Sequence, residues 1–253
     1  MRLPDRLAAQ GQFLFRWRSY VPLVLLPAIL LALPDAVRVD AGLTKHADTI
    51  AFLFCLAVSY CGLIVRGIVA GHVPAGTSGR NTREQRAHEL NTTGIYSVVR
   101  NPLYVGNFVA LLGIVLWVKV WWLVILFVLA YALYIERVVA AEESFLSAKF
   151  GPAYQEWADR TPAFLPRLGG WQKAHYPFSW RTVLRREYPG FNAVAIAFLV
   201  LDAVKQVAIA GTGWGEWFRT DQAYLWVAGV SMAGYIAVRS LKKHTDALKV
   251  TGR

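Results

Sequence analysis

Apolar residues in this chain gather into long runs, separated by shorter stretches rich in Arg, Lys, Gly and Pro. A membrane span needs about 20 mostly apolar residues, or fewer where flanking side chains snorkel. Six runs approach that length, at roughly 20–38, 49–70, 103–118, 120–138, 191–210 and 222–240. The third and fourth are nearly continuous, broken only around Trp117-Val118-Lys119-Val120-Trp121-Trp122. A run from 103 to 138 is too long for one ordinary span. A tight helical hairpin is predicted there, with Lys119 and the Trp cluster at the interface. The first run contains Pro22, Pro27 and Pro34 and no clean cleavage pattern follows it, so it is read as a retained helix. The pattern predicts an all-α integral membrane protein with about six transmembrane helices. Its expected organisation is a two-helix N-terminal membrane region (1–70), a core built on the hairpin (71–186) and a two-helix C-terminal extension (187–253).

Composition agrees: 56% of the 253 residues are hydrophobic, and the mean hydropathy is +0.37. The net charge of +11 could point to nucleic acid, so the placement of the charges decides. With the N-terminus inside, most Arg and Lys residues fall on one side. They include Arg16, Arg18, Arg66, Arg80, Arg83, Arg86, Arg100, Arg137, Arg160, Arg167, Arg185, Arg239 and Lys242. The other side keeps Arg38, Lys45, Lys119 and Arg219, while Lys205 falls within a span. Both termini are therefore expected in the cytoplasm, with two long cytoplasmic loops at about 71–102 and 139–190. The charge is explained without nucleic acid, and the compact size suits a bacterial inner membrane. Cys55 and Cys61 form no C-x-x-C pair, so neither a metal site nor a redox motif is expected. Asp202 and Lys205, three apart on one predicted helix, can pair inside the membrane.

Chemistry gathers in the two inside loops. The first carries "ELNTTGIYSVVRNPLYVG". Thr92-Thr93-Gly94 is a turn signal, and Pro102 holds Arg100 and Asn101 at a bend. His88, Tyr96 and Tyr104 offer ring faces and polar tips, and Arg100 offers a fixed cationic fork. The second loop begins as a helix with Glu136, Arg137, Glu142 and Glu143, and stops at Phe150-Gly151-Pro152 before Tyr154. "TPAFLP" reads as an extended segment lying back on the membrane. Taken one by one, these features also suit span anchors, surface pairs and turns. Their order is what points to one site: a basic Pro bend, a hairpin and an acidic helix, all on the same side.

In these residues the chain resembles the isoprenylcysteine carboxyl methyltransferase family of integral membrane methyltransferases, with its phospholipid methyltransferase relatives. The matching pieces are Gly94-Ile95-Tyr96, Arg100-Asn101-Pro102-Leu103-Tyr104-Val105-Gly106, Glu142-Glu143, Phe150-Gly151-Pro152-Ala153-Tyr154, and Thr161-Pro162 leading to Pro166. They cover roughly residues 80–167. The resemblance implies S-adenosyl-L-methionine as methyl donor, in a cytoplasmic site formed by the two inside loops rather than by a Rossmann sheet. It implies cofactor contacts from His88, Glu89, Leu90 and Asn91, and from Tyr96, Asn101, Pro102, Tyr104 and Glu142; the cationic fork of Arg100 suits the cofactor's carboxylate. Arg137, Arg100 and Glu143 are the candidate catalytic residues, Arg137 facing the substrate. The family's His is Asn101 here, and an amide cannot take up a proton near neutral pH. An acceptor that is already anionic, a carboxylate or phosphate on a lipid-like or prenylated molecule, therefore suits the chain better than an amine headgroup. Gly211-Thr212-Gly213-Trp214-Gly215 imitates a nucleotide-binding glycine motif but lies between two apolar helices, so it reads as a turn. Two other readings stand beside this one. One is an NADPH-dependent sterol-type reductase, although Leu103 before Tyr104 departs from its motif. The other is a transporter or scaffold using Asp202 and Lys205.

Overall fold

A computed structural model describes residues 3–18, 20–74 and 87–250. Arg80, Arg83 and Arg86 of the predicted basic loop lie outside the described residues. The secondary structure is helical throughout, with no strand among the described residues and a lone antiparallel bridge between Gly94 and Gln172. The helices are α1 (Leu3–Trp17), α2 (Val21–Val24), α3 (Leu26–Asp40), α4 (Lys45–His72), α5 (Pro102–Trp117), α6 (Trp121–Phe150), α7 (Pro152–Arg160), α8 (Trp180–Ala203), α9 (Trp214–Thr220) and α10 (Gln222–His244).

Four of the predicted runs form helices long and apolar enough to cross a membrane: Lys45–His72, Trp121–Phe150, Trp180–Ile209 and Gln222–His244. The other two are shorter than expected. The apolar α5 has 16 residues and α3 has 15. The first run is broken after Val24, so Leu26–Asp40 alone carries the helix. The hairpin forms where it is predicted. Lys119, at φ 61, makes the turn between α5 and α6, a conformation uncommon for a residue with a side chain.

α4 and α5 pack with their backbones nearly touching. A Cβ on Gly62 would sit 2.3 Å from Ala110 N, and one on Gly106 would sit 2.7 Å from Gly62 O. Gly113 meets Ser59 in the same way, and Ser59 Oγ donates to Ala110 O at 2.8 Å. Small residues let apolar helices gain dispersion contact where lipid removes any hydrophobic drive between them. α6 has 30 residues, about 45 Å, against a hydrocarbon core of about 30 Å. Its last turns therefore project beyond the apolar layer, carrying Glu142 and Glu143. This corrects the expected loop from about 139: the helix runs unbroken to Phe150, where Gly151 at φ 55 ends it and Pro152 begins α7. The reason is local, because residues 136–149 hold good helix formers and no Gly or Pro.

At the opposite end of the bundle a buried charge network ties α3, α4, α8 and α9 to the turn between α5 and α6. Lys119 Nζ meets Asp40 Oδ1 at 2.6 Å and also Asp48. Lys205 Nζ meets Asp40 Oδ2 at 2.6 Å and Asp202 Oδ1 at 3.4 Å. Trp217 Nε1 donates to Asp202 Oδ2 at 2.9 Å. The predicted Asp202–Lys205 pair is thus part of a larger neutralising cluster. Gly211, at φ 77, turns the chain between α8 and α9, as read from its glycines. The short helix α9 after it is an addition. Cys55 and Cys61 are both free.

Candidate functional site

The stretch 87–101 and the stretch 157–176 close on each other through a ladder of hydrogen bonds. Gly94 N–H donates to Gln172 O (3.0 Å) and Arg100 N–H to Pro162 O (2.9 Å). The Gln172 N–H donates to Ser97 Oγ (2.9 Å), Trp157 Nε1 to Tyr96 O (3.0 Å), and the His175 N–H to Thr93 Oγ1 (3.1 Å). Gly94 makes the entry turn at φ 62, where any Cβ would be strained. Buried backbone groups need partners, and here the two loops supply them to each other.

Beneath this ladder the helix ends bring the motif residues together. Asn101 stands at the start of α5 without a side-chain cap bond, and Pro102 opens the helix, a position that suits a residue without an N–H. Tyr104, one turn in, donates its hydroxyl to Glu142 Oε1 at 2.7 Å. Tyr131 in turn donates to Tyr104 O at 2.7 Å. Arg100 Nη1 donates to Ala158 O (2.8 Å), and its Nη2 lies 2.9 Å from Glu143 Oε1. The Asn101 amide donates to Ala163 O at 3.2 Å, so this residue ties the bend to the segment after α7. Glu143 Oε1 is held by that ion pair, while the buried Arg100 Nε has no hydrogen-bond partner among the described residues. A buried donor of this kind is one that a polar ligand would satisfy. Burial raises the Tyr96 hydroxyl pKa, and the nearby Glu142 charge adds to the effect. Burial likewise raises that of Tyr154, helped by Glu143. Both phenols remain neutral donors at physiological pH.

Beside this cluster opens a cavity of about 230 Å³ lined by Glu89, Leu90, Asn91, Tyr96, His72 and His175, among others. Tyr176, also on its wall, donates to Glu89 Oε2 at 3.2 Å. Of the residues singled out in the sequence, Glu89, Leu90, Asn91 and Tyr96 therefore share the cavity. Arg100, Asn101, Pro102, Tyr104, Glu142 and Glu143 form the adjoining cluster. His88 is exposed and does not line the cavity. Arg137 is not brought to either group: its Nε donates to Gln10 Oε1 (3.0 Å), and its Nη1 bonds the Leu133 carbonyl.

Four contributors escaped the sequence reading. Arg18, which stacks on Phe15 at 3.9 Å, brings its charge close to Glu142, Tyr104 and Tyr134. His175 and Tyr176 come from the polar, aromatic "KAHYPFSW" stretch, which no motif flagged. Arg66 pairs with Glu187 at 2.9 and 3.2 Å and donates to Asn107 Oδ1, clamping α4, α5 and α8. A lone charge inside an apolar run was the signal for Arg66. Nothing in the spacing places Arg18 near Glu142.

Residues 75–153 match the family model described as phospholipid methyltransferase. The chain is 34% identical over 156 residues to the nickel-cobalt-cadmium resistance protein NccN of Alcaligenes xylosoxydans xylosoxydans, covering 62% of this chain and 68% of that protein. It is 39% identical over 84 residues to the cobalt-zinc-cadmium resistance protein CzcN of Cupriavidus metallidurans, covering 33% of this chain and 38% of that one. It is also 31% identical over 87 residues to protein-S-isoprenylcysteine O-methyltransferase of Schizosaccharomyces pombe, 34% of this chain and 37% of that enzyme. No solved structure matches the chain. The matched segment contains the Gly94–Tyr96 turn, the Arg100–Gly106 bend and the Glu142-Glu143 pair, the residues that the fold draws together. The chain belongs to the family of integral membrane methyltransferases that includes the phospholipid and isoprenylcysteine methyltransferases.

Proposed function

We propose that this protein transfers a methyl group from S-adenosyl-L-methionine to an anionic oxygen on a lipid-like acceptor, at the cytoplasmic face of a bacterial membrane. The observation that carries the reading is the convergence of Tyr104–Glu142 and Arg100–Glu143 beside a cavity of mixed polar and apolar lining, at helix ends that project from the apolar layer. The residues fit a ligand that is a zwitterion with an added cation. Arg100 suits its carboxylate, Glu142 or Glu143 its ammonium, and the Tyr96 ring its sulfonium. When bound, the cofactor supplies a methyl on positively charged sulfur, a good electrophile.

The chain's own part is alignment and electrostatics. Tyr104 fixes one Glu142 oxygen and leaves the other free to accept. The Pro102 bend holds Arg100 rigidly, because its main chain and guanidinium are both bonded to the segment after it in space. A carboxylate or phosphate acceptor would arrive already ionised, so its oxygen lone pair could take the methyl as the S–CH3 bond breaks and the sulfur leaves as a neutral thioether, with no proton to remove. That suits a site whose bend carries Asn101, with its amide committed to Ala163 O. The orientation follows from the basic residues at the site end, which would face the cytoplasm. Two relatives are named for metal resistance. A contribution of this chain to metal tolerance would run through the same methyl transfer, and it would fail with Glu142→Gln. Titration of the purified protein with S-adenosyl-L-methionine and with NADPH tests the reading. Saturable binding of the first alone is expected, and binding of the second alone overturns it.

A further inference from the structure

α10 touches the rest of the bundle along a narrow line, and only Tyr224 and Ala228 of its residues are buried. Between it, α8 and α4 lies an open groove of about 540 Å³, walled by Leu56, Tyr60, Leu184, Phe191, Val230 and Tyr235, among others. The groove runs along α10 from Trp226 to Val238, about 18 Å at the helical rise, close to the half-thickness of about 15 Å of a hydrocarbon core. Gly234 faces the open space of this groove, since a Cβ there would meet nothing within 4 Å.

The charges around the groove are unequal. Its acid, Glu187, is neutralised by Arg66. At the basic end of α10, the Arg239 guanidinium lies 5.8 Å from the Tyr235 ring and its Nη1 is 2.8 Å from that hydroxyl. Lys242 Nζ lies 5.6 Å from the Tyr188 ring, and the two rings are 5.1 Å apart. Among the described residues neither cation has an ion-pair partner. One end of an apolar groove thus carries two cations mounted on its own aromatic walls.

The geometry points to a specific site for an acidic phospholipid, with one acyl chain in the α4–α8–α10 groove and its phosphate between Arg239 and Lys242. A hydrocarbon chain satisfies the apolar wall. A phosphate, rather than a zwitterionic headgroup's outer amine, satisfies the unpaired cations. The bound lipid fills the wedge between the extension and the rest of the bundle, so the extension is held partly by lipid. This inference stands apart from methyl transfer.

The test uses the full chain in nanodiscs containing phosphatidylglycerol with a photoreactive acyl chain. Labelled peptides are identified by mass spectrometry, with unlabelled phosphatidylglycerol or phosphatidylcholine as competitor. Label is expected on residues 183–191 and 226–238, displaced by phosphatidylglycerol in preference to phosphatidylcholine. Gly234→Trp should abolish it by filling the groove. The double variant Arg239→Gln, Lys242→Gln should keep the fold and cut the headgroup preference roughly 30-fold, the ratio equivalent to about 1 kcal/mol for each cation. Label spread evenly over the outer helix faces, including Ile125 and Leu129 of α6, would overturn the proposal. So would labelling that both variants leave unchanged.

Discussion

Glu142 and Glu143 are neighbours in sequence with different partners. Glu142 takes the Tyr104 hydroxyl, and Glu143 faces Arg100. On the proposed reading, Glu142→Gln keeps the shape and an acceptor oxygen but removes the charge that a cationic ligand needs. Methyl transfer should fall roughly 100-fold, the scale of a misaligned reacting pair, while the thermal midpoint stays close to that of the parent. Tyr104→Phe should lower the rate in the same direction by less, because it frees Glu142 without removing it. Rates measured beside melting curves separate these effects from misfolding. At this scale the motif was readable in part, since His88, read with it, stands exposed outside the cavity. Arg100, Tyr104, Glu142 and Glu143 meet as their order implied. Arg18 was not readable, because its place beside Glu142 depends on how α1 packs along α6, which no local spacing encodes. Arg137 likewise stands apart from that cluster, bonded to Gln10 of α1.

Among the elements, α4 and α5 are the pair with least room to change. Gly62→Leu would drive a side chain into the Ala110 backbone, at a cost of about 1–3 kcal/mol or more, and should lower the melting point and the folded yield together. The charge network at the far end makes a contrasting prediction. Lys205→Met leaves the buried Asp202 without a cation, while Asp40 keeps Lys119, and should cost roughly 3–5 kcal/mol, with the specific activity of the surviving folded protein unchanged. Under the transporter reading, activity would be lost instead. Lys119 adds a pH signature. Burial pulls its ammonium pKa down, but the bonds and charges of Asp40 and Asp48 outweigh this and leave it raised. A raised folded pKa means that the stabilisation is complete below the ordinary lysine value of about 10.4 and is lost as pH rises through the folded value. The melting point should therefore show an alkaline fall above about pH 10 that is weaker in Lys119→Met. Hydropathy located nearly every helix. It misjudged lengths where apolar character and helical character part company, as in the polar last turns of α6 and in the broken start of α3.

For the whole molecule, the site and the charge network occupy opposite ends of one bundle. α4 and α6 run from the network to the site, and α5 runs back. This separation puts the motif residues at one end of the helices and the ion-pair network at the other. The hydrophobic pattern and the motif order made that arrangement legible. The loop-to-loop ladder and the groove under α10 were not, since both arise from contacts between residues far apart in the chain. The most direct test of the central claim is transfer of radiolabelled methyl from S-adenosyl-L-methionine to extracted bacterial membrane lipids, by the parent protein and by Glu142→Gln in parallel. The account predicts a labelled, base-sensitive lipid product with the parent and almost none with the variant. Equal labelling by both, or none with a folded parent that binds the cofactor, would contradict it.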